Sequence, residues 1–155
     1  MVYLTRRVTF NAAHKLAHPA WTQARNEEVF GRCAYANWHG HNYELFVTVR
    51  GVPDPDTGFV MDAKALKDLV AAEVTEQLDH RNLNLDVPWL SGVRTTSENI
   101  ARAIWGRIAP KLTGCTLYRV RLVETENIFV DYYGDAEPAR DPTAGEAAAD
   151  PHPAP

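Results

Sequence analysis

From Val8 onward the chain alternates apolar and polar residues, with Val8, Phe10, Ala12 and His14 on one parity and Thr9 and Asn11 on the other. A period of two predicts a strand. Val2 to His14 is read as one, with His14 closing its apolar face. The period returns from His39 to Arg50, where His39, His41, Tyr43, Leu45, Val47 and Val49 share a parity. Here two histidines begin the apolar face. Between these strands Lys15 to Phe30 has no clean period, and Pro19 with the polar run Gln23 to Glu28 reads as a loop with room for one short helical turn. Long connections inside a compact domain are often functional.

Gly51 to Gly58, GVPDPDTG, is a turn by composition. Asp62 can cap a helix from about Ala63 to Leu78, whose apolar stripe is Leu66, Leu69, Val70, Val74 and Leu78. A second helix is predicted to end near Leu112, with Ile100, Ile104, Trp105, Ile108 and Leu112 on one side. Thr95 and Glu98 stand in capping-box spacing, and a start one residue later at Thr96 is the alternative. Pro110 predicts a kink or an early stop. Thr116 to Thr125 and Ile128 to Tyr133 read as third and fourth strands. The expected order is strand, strand, helix, helix, strand, strand, in one α+β domain over residues 1–134. Residues 135–155, rich in Ala, Pro, Asp and Gly, read as a disordered tail with no part in the chemistry.

The 155 residues are 45% apolar and 23% charged, which is ordinary for a globular protein. The net charge of -4 and the lack of a basic run argue against a nucleic-acid partner. No apolar segment approaches the roughly 18 residues that span a bilayer, and MVYLTRRVTF lacks the apolar core of a secretory signal. The expectation is therefore no membrane association. Two cysteines, Cys33 and Cys115, are too few for a disulfide framework, and a reducing cytoplasm is the simpler setting.

The candidate chemistry centres on GRCAYANWHGHNY, Gly31 to Tyr43. Residues i and i+2 of a strand point the same way, so His39 and His41 can converge on one ion. Antiparallel pairing of the first two strands around the long loop places His14 beside them. A His₃ set leaves a coordination position open, as in catalytic zinc sites. The bland alternative is three half-buried histidines bonded to neighbours. Glu124 falls on the apolar face of Tyr118, Val120 and Leu122, whereas Arg119 and Arg121 have the opposite parity. A carboxylate there is costly unless paired, and it suits a guanidine-like ring edge. Asp79-His80 follows a helix end; it is either helix-terminus chemistry or a carboxylate orienting an imidazole. Cys33 is the candidate base or nucleophile that such a pair would tune. Cys115 reads as packing, and His18 and His152 as solvated.

With these residues in hand, the chain resembles the 6-pyruvoyl-tetrahydropterin synthase and 6-carboxytetrahydropterin synthase family. The matching pieces are FNAAHKL (Phe10 to Leu16), FGRC (Phe30 to Cys33), HGHNY (His39 to Tyr43), DPDTGFVMD (Asp54 to Asp62), LDHRNLNLDVP (Leu78 to Pro88), TSEN (Thr96 to Asn99) and VETEN (Val123 to Asn127). The resemblance covers nearly everything from Val8 to Tyr133. It implies the tunnelling fold: a four-stranded antiparallel sheet with two helices on one face, three subunits to a barrel and two trimers to a homohexamer. It places the active site between subunits. It implies that His14, His39 and His41 hold Zn2+, that Cys33 abstracts protons from the substrate side chain, and that Asp79 with His80 completes its relay. It implies that Glu124 anchors the pterin ring, helped by Thr96 and Ser97. The implied substrate is 7,8-dihydroneopterin triphosphate. The triphosphate-binding groups, and whether a second ion such as Mg2+ travels with the triphosphate, are open at this point.

The resemblance implies a lyase that eliminates triphosphate and needs neither nicotinamide nor flavin. Five residues separate Cys33 from His39, a spacing similar to that of the pyruvoyl-forming enzymes. TSEN is similar to the bacterial carboxy-forming type of the queuosine pathway, which also releases acetaldehyde. The expected product is 6-pyruvoyl-tetrahydropterin, as in tetrahydrobiopterin synthesis, with the 6-carboxy product as the alternative. A relative that binds pterins or purines without turnover is a third reading, but none of Cys33, His80 or the three histidines is lost. Trp38, where the family often has a small residue, is a departure at the lip of the pocket.

Overall fold

The computed structural model describes residues 1–135. The expected disordered tail therefore lies outside the described residues, apart from Asp135. Strand β1 (Val2–His14) pairs antiparallel with β2 (His39–Gly51) along its whole length, from Val2 opposite Gly51 to His14 opposite His39. Strand β4 (Thr116–Thr125) pairs with the other edge of β2, and β5 (Ile128–Tyr132) with β4. These four match the sequence expectation within a residue. A fifth strand does not: β3 (Arg81–Asn82) adds to β1 in parallel, giving the order β3-β1-β2-β4-β5. The four-stranded, wholly antiparallel expectation is thus corrected. A strand of two residues has no period to read. It is held by the backbone amides of His80 and Leu83, which donate to Asn11 and Ala13 carbonyls at 2.6 and 2.8 Å.

The helices also differ from expectation in number. Gln23–Phe30, expected to be loop, is helix α1, capped by the Thr22 hydroxyl accepting from the Arg25 amide. Its anchor is Asn26, which is buried and bonds back to His18 and to the Trp21 and Thr22 carbonyls. The helix from Asp62 to Leu78 forms as expected, but as α2 (Ala63–Val70) and α3 (Glu76–Leu78) joined by a π-helical segment, Ala71–Thr75. Helix α4 (Ser97–Ile108) starts from the alternative cap, Thr96, which accepts from Asn99. Thr95 does not cap it, because its hydroxyl and carbonyl are used elsewhere. Pro110 then forces a 3₁₀ turn, Ala109–Lys111, so the regular helix stops before Leu112.

The helical stripes cover one face of the sheet. Tyr43, Leu45, Val47 and Val49 of β2 meet Leu66, Val70, Val74, Leu78, Ile100, Ile104 and Ile108 in one core, all fully buried. Glu73 clasps α4 from the π segment, pairing with Arg107 at 2.8 Å and Lys111 at 2.7 Å. The opposite face carries polar pairs instead: Thr5 with Thr48 at 2.9 Å, Arg7 with Glu44 at 2.9 Å, and Arg121 bidentate on Asp131 at 2.8 and 2.7 Å. Among the described residues no helix is long and apolar enough to cross a membrane.

Leu45 has no exposed surface and sits where β2 meets the helices. Leu45→Ala is expected to lower stability by about 2–5 kcal/mol, the usual cost of a buried cavity. Urea denaturation checks this: the midpoint should drop with little change in slope.

Candidate metal centre

The register between β1 and β2 assembles the centre. His14 faces His39, and Ala12 faces His41, so all three imidazoles rise from the same side at one end of the sheet. Their ligating nitrogens lie within 4.8 Å of one another. His14 is buried and its Nδ1 lies 2.8 Å from the Thr95 carbonyl. A carbonyl can only accept, so Nδ1 carries a proton, and in the neutral ring Nε2 is the nitrogen able to bind an ion. The Nε2 atoms of His39 and His41 are buried and have no hydrogen-bond partner. Buried unpaired nitrogens are costly. Two of them beside the Nε2 of His14 form a donor set suited to a divalent ion such as zinc. The bland reading, in which neighbours satisfy each imidazole, fails for His39 and His41.

Glu124 joins this cluster. Its Oε1 lies 3.3 Å from His14 Nε2 and 3.4 Å from His41 Nε2, charge-pair distances at which neither contact has the alignment of a hydrogen bond. The β4–β5 register shifts between Val123 and Thr125, so Glu124 sits at a bulge. Contact with His14, and then the His41 charge, hold its carboxyl below the ordinary value of 4.5 against the effect of burial. Ser97 helps: its hydroxyl is buried, lacks a well-formed partner, and lies near enough to favour the ionised carboxylate. Thr96, one residue earlier, is committed to capping α4. Burial pushes His39 and His41 below 6.5, aided by the neighbouring imidazoles and opposed by Glu124.

Cys33 lies on a 3₁₀ turn, Gly31–Ala34, that follows α1 directly. Its carbonyl accepts from the Leu16 amide at 2.8 Å, which ties the turn to the end of β1. The thiol is half-buried, and burial and then the Glu124 charge push its pKa up from 9.0. Glu124 and Cys33 are thus close enough to interact. Trp38, just before His39, adopts the left-handed conformation with φ 62. That explains why a small residue would be easier there.

Asp79 and His80 are paired as the sequence suggested, with Nδ1 3.0 Å from Oδ2. The Asn11 amide donates to Asp79 at 2.7 Å and is the main cause of its lowered pKa. The structure does not bring this pair to Cys33. His80 is 82% exposed and lines a cavity with Thr9, Asn11 and Asn42, on the opposite parity from His14. Among the described residues no hydrogen bond joins either to Cys33. Cys115 lies 3.9 Å from the Met61 sulfur, in keeping with a packing role. His18 is not free in solvent as expected, because its ring stacks on Trp21 at 4.6 Å. His152 lies outside the described residues. Two participants were missed from the sequence. One is the Thr95 carbonyl, which a sequence cannot flag; the other is the Tyr43 hydroxyl, 3.5 Å from His14 Nε2.

The family model described as 6-pyruvoyl tetrahydropterin synthase matches residues 3–135. The 6-pyruvoyl tetrahydrobiopterin synthase of Pongo abelii is 41% identical over 132 residues, 85% of this chain and 91% of the relative. That of Dictyostelium discoideum is 41% identical over 134 residues, 86% and 97% of the two chains. The solved structure of Caenorhabditis elegans 6-pyruvoyl tetrahydropterin synthase superposes with a TM-score of 0.81 at 36% identity, covering 86% of this chain and 95% of that one. A 6-carboxy-5,6,7,8-tetrahydropterin synthase from Rickettsia bellii is 28% identical over 149 residues, 84% and 99% of the two chains.

The lowered histidine values make the metal-free protein acid-sensitive. Unfolding lets His39 and His41 take up protons near their ordinary 6.5, which the fold resists. Their neutral forms cost nothing above that value, and stability falls as pH drops below it, levelling off once the folded values are passed. Thermal melts of chelator-treated protein between about pH 8 and pH 5 should show this fall, and added Zn2+ should shift it to lower pH. A flat profile would contradict the burial of these imidazoles.

Proposed function

This chain belongs to the 6-pyruvoyl tetrahydropterin synthase family, and on that premise we propose that it is a zinc-dependent lyase converting 7,8-dihydroneopterin triphosphate to 6-pyruvoyl-tetrahydropterin with loss of triphosphate. The observation that carries the reading is the trio of converging Nε2 atoms, two of them buried and unpaired, with Glu124 and Cys33 beside them. His14, His39 and His41 would hold the ion. A zinc ion there supplies Lewis acidity toward substrate hydroxyls. Cys33 takes a proton from side-chain carbon, which requires its thiolate. Burial and the Glu124 charge oppose that form, so the thiol needs a cation and a proton acceptor close by. Glu124, kept ionised by its surroundings, anchors the pterin by accepting two N–H donors from the ring edge. Ser97 steadies that carboxylate, while the Thr96 hydroxyl is left with its capping role and at most a donor to share.

The acceptor for Cys33 comes from a second copy of the chain. Within one chain the Asp79–His80 pair points to the polar face of the sheet, away from the thiol, so a neighbouring subunit supplies it. A homo-oligomer with sites between subunits meets that need, and a hexamer is the expected form. The identities favour the pyruvoyl product: 41% to two enzymes named for it, against 28% to the carboxy-forming enzyme. The TSEN segment keeps the 6-carboxy product as the second reading.

Mass spectrometry of products from the zinc-loaded protein tests the reaction. A 6-pyruvoyl product is expected; a 6-carboxy product with acetaldehyde would establish the alternative, and unchanged substrate would favour a binding protein. Cys33→Ala should lower turnover by roughly 10²–10⁴-fold with zinc still bound. Subunit mixing tests the shared relay. Cys33→Ala and His80→Ala oligomers, each impaired alone, should regain activity when their subunits are co-assembled. No recovery would place the whole relay within one chain.

A further inference from the structure

His14 is the last residue of β1, paired only with His39 at the end of the β2 ladder. Its other neighbour, β3, reaches no further than Ala13. A strand end of this kind frays unless something holds the residue that follows. Here that residue is Lys15, and its partner is a side chain. Asn84 Oδ1 accepts from the Lys15 amide at 3.0 Å, and Asn84 Nδ2 donates to the Lys15 carbonyl at 3.0 Å. The carboxamide thus extends the β1–β3 edge from Ala13 to Lys15, two residues on, bonding both backbone groups of Lys15 at once. These two contacts also fix which atom is oxygen, since an amide can only donate and a carbonyl only accept.

The same oxygen accepts from the Thr95 hydroxyl at 3.3 Å. Thr95 is fully buried, and it is the residue whose carbonyl receives the His14 Nδ1 proton at 2.8 Å. Asn84 therefore holds both sides of the contact that orients His14. One grip is on the backbone just past the imidazole, the other on the loop that carries its acceptor. Asn84 is itself presented by a closed turn: its amide donates to Asn82 Oδ1 at 3.0 Å, and the Asn82 amide to Asp86 Oδ2 at 2.8 Å.

We infer that Asn84 is a positioning residue of the metal centre, acting through Thr95 and Lys15 to fix the ring orientation and tautomer of His14. The inference rests on the metal-centre reading of the three histidines. Groups that orient a ligating imidazole typically change metal affinity by roughly 10–100-fold when removed. No catalytic or substrate contact is needed from Asn84 itself.

The test uses the full-length oligomer, stripped of metal and titrated with Zn2+ against a chelating dye. Asn84→Ala should weaken Zn2+ binding by roughly 10–100-fold. Asn84→Asp keeps both acceptor contacts but sets an oxygen against the Lys15 carbonyl where a donor stood, so it should lose less affinity than Asn84→Ala. Thr95→Val, which keeps the carbonyl and removes only the hydroxyl, should fall between them. Co2+ loading gives a second readout: the visible bands of Asn84→Ala should shift in position or intensity, which a loss of fold stability alone would not cause. Unchanged Zn2+ affinity in Asn84→Ala would overturn the positioning role, and if that variant fails to fold, unchanged affinity in Thr95→Val does so. Failure of the unaltered protein to bind Zn2+ would instead overturn the metal-centre reading itself.

Discussion

Antiparallel pairing of β1 with β2 sets His14 opposite His39 and Ala12 opposite His41. A slip of one residue would turn the whole apolar set of one strand to the other face and divide the histidines between two sides. The core makes such a slip prohibitive. Phe10 stacks on Tyr43 at 5.0 Å, and Leu45, Val47 and Val49 are sealed under the helices. Hydrophobic burial in the middle of the sheet thus holds in place polar groups at its end. Gly40 lets the strands approach at that end: a Cβ there would meet the Ala12 carbonyl oxygen at 3.2 Å.

At that end the strand pair stops obeying the rule that buried polar groups are satisfied. His39 and His41 keep buried nitrogens without partners, and a carboxylate on the apolar face of β4 turns toward them. Each choice costs stability in the metal-free chain, and all are made within one small volume. Trp38, the residue before His39, adds left-handed backbone in a non-glycine residue. Such concentration of cost marks a site shaped for a ligand rather than for the fold.

The two faces of the sheet divide the labour. The helix-covered face carries the histidine cluster and Glu124; the polar face carries Arg7–Glu44, Arg121–Asp131 and, at its edge, Asp79–His80. Cys33, on its 3₁₀ turn, and the Asp79–His80 pair, at the polar edge, share no hydrogen bond among the described residues. That separation is what brings a second copy into the proposed chemistry.

Period-two alternation made both long strands and β4 legible, and with them the facing of His14, His39, His41 and Glu124. The cap Asp62, the choice between Thr95 and Thr96, and the stripes behind them marked the two core helices, because those signals are local and repeat. The turn chemistry of GVPDPDTG was equally plain. Helix α1 was not legible: its buried anchor is a single asparagine, and its face carries no apolar stripe. Strand β3 was too short to show a period. Glu124 was recognisable as misplaced, but not its partners, since the approach of β4 to the ends of β1 and β2 depends on how the helices pack. The bond from His14 to the Thr95 carbonyl joins residues 81 apart in sequence. Backbone carbonyls are the same in every residue, so only the folded chain could choose that one. Local periodicity determined which way each side chain faces; long-range packing decided which of them meet.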